Sequence, residues 1–307
     1  MGKQWLFATM FIILTAIIIL IISQGAYGVY TVASPIIGHP DDCIGAVRLA
    51  VIGDYGASGQ PEKDVAGLVA SWQVNYVVTV GDNNYPNGAA STIDANVGQY
   101  YHDYIYPYQG EYGVGARENR FFPALGNHDW HTESLQPYYD YFNLPGNERY
   151  YAVDWDSVHL FVVDSDPNEP DGRSVDSIQA QWLEEQMLAS DAPWKLVAMH
   201  HSPYSSSAKH GSDAVMRWPF AAWGATAVLS GHDHTYERNH AEGIVYFVNG
   251  LGGRSLYKIG KAIPESAVRY NQDYGAMLIN ANANCINFSF ISRAGTLIDS
   301  YTILNTV

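Results

Sequence analysis

The chain has 307 residues, of which 47% are hydrophobic, 13% aromatic and 15% charged. That composition excludes a disordered, coiled-coil or collagen-like chain. Sixteen Lys plus Arg against 31 Asp plus Glu leave a net charge of -15, so the general field repels polyanions and no nucleic-acid partner is expected. Any phosphate group this chain handles needs a local cationic centre.

The first segment stands apart. After Lys3, residues 5–22 form eighteen positions without a charge, followed by Ser-Gln-Gly-Ala-Tyr-Gly. The run is longer than the usual apolar region of a signal peptide and close to the roughly 20 residues that span a bilayer, while Ala26-Tyr27-Gly28 resembles a small-x-small cleavage site. Residues 1–28 therefore read as a signal peptide or a signal anchor. No Lys or Arg lies between Lys3 and Arg48, so the rest of the chain is expected outside the cytoplasm, secreted or tethered to a membrane only through residues 5–22. The two cysteines, Cys43 and Cys285, either pair in such a compartment or stay as free buried thiols. Asn287-Phe288-Ser289 is a glycosylation sequon inside an alternating apolar run that reads as strand, which makes its occupancy doubtful.

From residue 44 to 307 short apolar runs alternate with longer polar or helical stretches, and no linker or repeat divides them, so one domain is expected. Residues 47–52 read as a strand running into Gly53-Asp54, residues 61–72 as a helix, and residues 74–80 as a strand running into Gly81-Asp82. Residues 121–125 lead into Gly126-Asn127-His128-Asp129, residues 194–199 into His200-His201, and residues 225–229 into Gly231-His232-Asp233-His234. A hairpin is expected over 149–153 and 159–163, and a helix over 175–188 with Ile178, Trp182, Leu183 and Met187 on one side. Late strands follow at 244–248, 276–279, 285–291 and 297–304. The pattern predicts an α/β fold of two packed mixed sheets flanked by helices. The segment Tyr100-Tyr101-His102-Asp103-Tyr104-Ile105-Tyr106-Pro107-Tyr108 either lines a substrate rim or packs as structural tyrosines.

Five strand ends thus deliver polar residues, and strand C-termini are where ligand sites form in open α/β sheets. They supply Asp54, Asp82, Tyr85, Asn127, His200, His232 and His234, all oxygen or imidazole donors without sulfur, a set suited to Zn, Mn or Fe. The gaps from Asp54 through Asp82, Asn127 and His200 to His232 are 28, 45, 73 and 32 residues, which lets successive strands of one layered fold converge on a single rim.

The stretches Gly53-Asp54-Tyr55-Gly56, Gly81-Asp82-Asn83-Asn84-Tyr85, Gly126-Asn127-His128-Asp129, Val197-Ala198-Met199-His200 and Gly231-His232-Asp233-His234-Thr235-Tyr236-Glu237-Arg238 resemble the calcineurin-like metallophosphoesterases. With Tyr85 the pattern resembles their purple acid phosphatase branch; the compact length resembles the small tartrate-resistant acid phosphatases, whereas the Gly231–Arg238 string in part resembles the plant forms, and no subgroup is assigned. The resemblance implies the four-layer α/β/β/α sandwich. It implies a ferric ion among Asp54, Asp82, Tyr85 and His234, and a divalent Fe, Zn or Mn ion among Asp82, Asn127, His200 and His232, with Asp82 as the bridge. It further implies phosphomonoester hydrolysis by attack of a metal-held hydroxide, and a small phosphate ester as substrate. A phosphodiesterase or nucleotide pyrophosphatase on the same centre is the alternative, because the surrounding loops choose the substrate. His128 and His210 are the candidate catalytic imidazoles, for binding phosphate or protonating the leaving oxygen, and Asp129 is placed to orient His128 or a ligand imidazole. Counting from Val197 selects His200 as ligand, whereas counting back from Ser202-Pro203 selects His201; we take His200. Glu237 and Arg238 are expected to be structural rather than catalytic.

Overall fold

The computed structural model describes residues 43, 45, 47–132 and 134–305. Residues 1–28, with the expected signal or anchor segment, and His39 lie outside the described residues. Among the described residues thirteen strands build two sheets. In the first, β1 (Val47–Ile52), β2 (Tyr76–Thr79) and β3 (Phe121–Pro123) are parallel neighbours. β11 (Gly275–Ala281) runs antiparallel to β1, and β12 (Cys285–Ser292) and β13 (Leu297–Leu304) complete the order β13-β12-β11-β1-β2-β3. The second sheet has the order β10-β8-β9-β7-β6-β5-β4. It consists of β4 (Tyr151–Trp155), β5 (Val158–Val162), β6 (Trp194–Ala198), β7 (Ala227–Ser230), β8 (Tyr236–Ala241), β9 (Ile244–Asn249) and β10 (Ser266–Tyr270). Its middle strands β5, β6, β7 and β9 are mutually parallel.

Strand periodicity explains the layering. Along β6, Leu196 and Ala198 enter the core between the sheets, whereas Val197 and Met199 enter a second core on the outer face. β9 divides in the same way, Val245 and Phe247 inward and Tyr246 outward. Side chains on successive residues point to opposite faces, so a strand buried on both faces reads as a continuous apolar run. Across the central layer Phe247 meets Phe288 at 4.9 Å and Tyr236 stacks on Phe290 at 4.2 Å. The helix Gln60–Ser71 covers the first sheet through Val65 and Val69, and the helix Ile178–Ala189 covers the second through Ala180, Leu183 and Met187. This is the expected sandwich of two mixed sheets with flanking helices.

Several expectations change in detail. Ile178 is 63% exposed, and Gln179 takes the buried place beside it. The Gln179 amide donates to the Asp164 and Gly172 carbonyls and its oxygen accepts from Asp164 N. A polar side chain wins there because the neighbouring loop has backbone groups to satisfy. Strands β8 and β10 were not legible as strands, because Tyr236-Glu237-Arg238-Asn239-His240 alternates polar groups on both faces. Tyr101 and Tyr104 pack in the core and Tyr108 donates to Asp94, so the tyrosine segment is largely structural. Cys43 and Cys285 form a disulfide across 242 residues of sequence, tying the start of the domain to β12. Asn287 is 1% exposed and its amide donates to Ser300 and Thr302, which closes the sequon in the folded chain.

Glu62, in the first turn of its helix, accepts from Ala57 N and Ser58 N through Oε2, while its buried Oε1 has no partner among the described residues. Burial pushes its carboxyl well above the ordinary range. A raised carboxyl favours the folded state when protonated, so its ionisation erodes stability as pH rises above the unfolded-state value. Glu62→Gln is therefore expected to raise the thermal midpoint at about pH 7.5, with the advantage shrinking toward about pH 5, in parallel melts of both proteins.

Candidate metal centre

Four glycines explain the repeated dipeptides at the strand ends. Gly53, Gly81, Gly126 and Gly231 each precede a candidate ligand, and at Gly81 and Gly126 the space is decisive. A Cβ at Gly81, itself at φ +89°, would collide with the His200 ring, and one at Gly126 would overlap the backbone and carboxylate of Asp82. Only glycine lets the loops close to this distance. Asp54, Asp82 and His232 adopt left-handed backbone with φ of 54°, 55° and 67°, a conformation that non-glycine residues take at a cost and that clusters at functional sites.

The turns bring the expected donors together. The Tyr85 hydroxyl donates to Asp82 Oδ2 at 2.7 Å and lies 3.4 Å from Asp54 Oδ1 and 3.3 Å from His234 Nε2. His234 Nε2 stands 3.3 Å from Asp54 Oδ1. On the other side, His200 Nε2 lies 3.4 Å from Asp82 Oδ1, 3.2 Å from Asn127 Oδ1 and 3.2 Å from His232 Nδ1. Asp82 thus faces two donor groups, one with each carboxylate oxygen. Single ligand atoms of Asp54, Asp82 and His200 all lie within 4.8 Å of one another, in a geometry that could hold a metal ion.

Hydrogen bonds aim these side chains. His200 Nδ1 faces the Val80 carbonyl at 2.8 Å, turning Nε2 to the centre, and Ser255 Oγ pairs with His234 Nδ1 at 2.7 Å in the same way. His201 instead meets Ser165 Oγ at 2.9 Å, and its ring packs on His232. The Asp54 Oδ2 accepts from His232 N and the Asp82 Oδ1 from His128 N. His128 tilts over the Tyr85 ring at 4.3 Å with Nε2 3.9 Å from Asp82 Oδ2, and His210 lies over His232 at 4.0 Å between ring centres.

Asp129 does not orient a histidine side chain. Its carboxylate accepts from Gly126 N and from the backbone and side-chain amide of Asn83, binding the β3 turn to the β2 turn. Asp233 plays the matching part for the His210 loop, accepting from Ser205 Oγ, His210 N and Gly211 N. Glu237 receives Ser206 N and Arg238 pairs with Asp299, both structural as expected. Asn83, Ser165, Ser255 and Asp233 were not singled out from the sequence. Asn83 sits inside the Gly81–Tyr85 motif and Ser165 and Ser255 follow strands β5 and β9, so the strand-end rule would have reached them.

Burial raises the Asp54 carboxyl well above its usual range against the pull of His200. For Asp82, burial works upward but His200 and His128 outweigh it and hold the carboxyl low. Burial and the charges of Asp54 and Asp82 push the Tyr85 phenol up. Burial and the neighbouring His200 lower His201 to about 3, and burial lowers His234 to about 4. Among the described residues no Lys or Arg pairs with Asp54 or Asp82. Two buried carboxylates without a Lys or Arg partner, beside a phenol, form a donor set that a metal ion fits, since buried charge has to be matched by opposite charge.

The sequence profile of the calcineurin-like phosphoesterases matches residues 47–236, and the chain belongs to this family. It is 25% identical to purple acid phosphatase 17 of Arabidopsis thaliana over 249 residues, covering 71% of each chain. It is 26% identical to tartrate-resistant acid phosphatase type 5 of Rattus norvegicus over 266 residues, covering 73% of this chain and 78% of the rat protein. Among solved structures, the purple acid phosphatase from yellow lupin seeds superposes with a TM-score of 0.72 at 18% identity, over 85% of this chain and 54% of the lupin chain. The chain thus spans about half the length of that enzyme. GAP50, the anchor in the inner membrane complex of Plasmodium, gives a TM-score of 0.66 at 18% identity over 85% of this chain and 89% of its own. By these relations the chain is a member of the calcineurin-like phosphoesterases that is similar to purple and tartrate-resistant acid phosphatases.

Asn83 carries a buried network beside the centre. Its oxygen accepts from the Tyr55 hydroxyl and Thr79, and its amide donates to Ala124 O and Asp129. Asn83→Ala is expected to destabilise the fold by roughly 2–4 kcal/mol, because it leaves several buried groups unpaired. Urea unfolding followed by tryptophan fluorescence measures this, and a loss within error of zero would contradict it.

Proposed function

We propose that this chain is an exported acid phosphatase that hydrolyses phosphomonoesters at a two-metal centre. Asp54, Asp82, Tyr85 and His234 would hold a ferric ion, and Asp82, Asn127, His200 and His232 a divalent Fe, Zn or Mn ion. The observation that carries this reading is the Asp82 carboxylate, whose two oxygens face the two donor groups separately. Hard phenolate and carboxylate donors suit the trivalent ion, and amide and imidazole donors the divalent one. When bound, such a pair supplies charge neutralisation for phosphoryl oxygens and lowers the pKa of water.

The chain's own groups do the rest. His128 over Tyr85 and His210 over His232 are placed to bind phosphate oxygens or pass a proton to the leaving alcohol. Partial burial keeps both imidazoles below the ordinary histidine value, against the pull of Asp82 on His128 and of Asp233 on His210. A proton donor with a lowered pKa is charged only in acid, so rates that need it fall as pH rises. The disulfide supports export, since such bonds persist in oxidising compartments. GAP50 is described as an anchor, and a fold by itself does not fix function; the complete donor set favours the enzyme here.

The test is a pH-rate profile on an aryl phosphomonoester and its matching diester. Monoester turnover with an acid optimum, abolished in Asp82→Asn, is the expected result; preferential diester turnover or an optimum well above neutrality would move the protein to the phosphodiesterase reading. Metal content separates the two adjacent histidines. His200→Ala is expected to lose at least one of two ions per chain and His201→Ala to retain both, by elemental analysis of the purified proteins. In the oxidised protein a visible phenolate-to-iron band should vanish in Tyr85→Phe.

A further inference from the structure

His200 and His201 follow β6 side by side, yet the hydrogen bonds behind their rings call for opposite tautomers. A neutral imidazole carries its hydrogen on one ring nitrogen and a lone pair on the other, and the partner of one nitrogen decides which. His200 Nδ1 faces the Val80 carbonyl at 2.8 Å. A carbonyl oxygen only accepts, so Nδ1 donates and Nε2 keeps the lone pair that a metal ion needs. His128 Nδ1, facing the Pro86 carbonyl at 2.5 Å, follows the same rule.

His201 Nδ1 faces a hydroxyl instead, Ser165 Oγ at 2.9 Å. That oxygen also accepts from His201 N at 2.8 Å and from His200 N at 3.2 Å. A serine oxygen has two lone pairs and one hydrogen. The two backbone N–H groups occupy the lone pairs, which leaves the hydroxyl hydrogen for His201 Nδ1. Ser165 is fully buried, so solvent does not compete for that hydrogen. Nδ1 of His201 therefore accepts, and the ring hydrogen sits on Nε2.

An Nε2 that carries hydrogen has no lone pair for a metal ion, which sets His201 apart from its neighbour. This N–H has no partner among the described residues. The ring is half-buried, and its centre lies 4.4 Å from the His232 ring and 5.1 Å from the His200 ring. An unpaired donor thus stands against both imidazoles of the second donor group.

We propose that His201 Nε2 donates a hydrogen bond to a non-bridging oxygen of the bound phosphoryl group, with Ser165 as the positioning residue that fixes its tautomer. This rests on the phosphatase reading above and adds a substrate-contacting residue to it. His201 transfers no proton; it keeps its hydrogen throughout, and a donor already aimed at an oxyanion costs no reorganisation during the reaction. The two adjacent histidines divide the work, His200 turning a lone pair toward the centre and His201 a hydrogen.

The experiment has two arms. Proton–nitrogen correlation spectra of the histidine rings in the diamagnetic, zinc-loaded protein report which nitrogen carries hydrogen, and His201→Gln identifies the His201 signals. Hydrogen is expected on Nε2 of His201 and on Nδ1 of His200, and Ser165→Ala should mix the tautomers of His201 while leaving that of His200. Calorimetric titration with inorganic phosphate and kcat/KM for an aryl phosphomonoester are then compared in wild type, His201→Leu and His201→Gln, with metal content measured in each. His201→Leu is expected to lose about ten-fold in phosphate affinity and in kcat/KM with both ions retained, and His201→Gln, whose amide supplies an N–H, to recover most of the loss. Hydrogen on Nδ1 of His201, an unchanged phosphate affinity in His201→Leu, equal losses in the Leu and Gln variants, or an ion lost from His201→Leu would each overturn the donor role while leaving the phosphatase reading intact. Phosphate affinity that falls in His201→Leu and returns in His201→Gln, in a protein that hydrolyses no phosphate ester, would support the donor and overturn the phosphatase reading.

Discussion

The structure depends on the burial of two carboxylates at the ends of adjacent parallel strands. Asp54 and Asp82 are essentially solvent-free, and among the described residues no Lys or Arg pairs with either. Burying ionised carboxylates without a counter-charge costs far more than a folded chain's net stability. The surroundings answer with backbone donors, imidazoles and a phenol, arranged so that each carboxylate still presents an oxygen to open donor space. The left-handed backbone at both positions is the cost of pointing them inward.

The sandwich exists to hold that arrangement. β1 and β2 belong to one sheet and β6 and β7 to the other, and the donors come from the facing C-terminal ends of both. Packing between the sheets, through pairs such as Phe247 with Phe288, brings the Asp54–Asp82 pair within reach of His200 and His232. The cross-sheet link from His200 Nδ1 to the Val80 carbonyl shows how little slack remains. A shift of either sheet would separate the donors before it exposed much core.

Around this floor the loops are anchored by buried acids. Asp233 anchors the His210 loop from below, and Asp129 anchors the β3 turn, so both acids that flank histidines in the sequence hold backbone rather than side chains.

Much of this was legible in the chain itself. Apolar runs ending in Gly-Asp, Gly-Asn-His-Asp and His-x-His located the strands and the donors, because a strand buried on both faces and a turn needing glycine both leave local marks. The disulfide, the closed sequon at Asn287, the turning of His200 rather than His201 toward the other donors and the hydrogen bonds of Asp129 and Gln179 are visible only in the fold. Each depends on what approaches from a distant part of the chain: Val80 behind His200, Ser165 behind His201, Asn83 against Asp129, Asp164 against Gln179. Local sequence records which groups a residue carries and which face of its own element it occupies. Which partner satisfies that group once water is excluded is decided by packing across two sheets, and no local pattern encodes it.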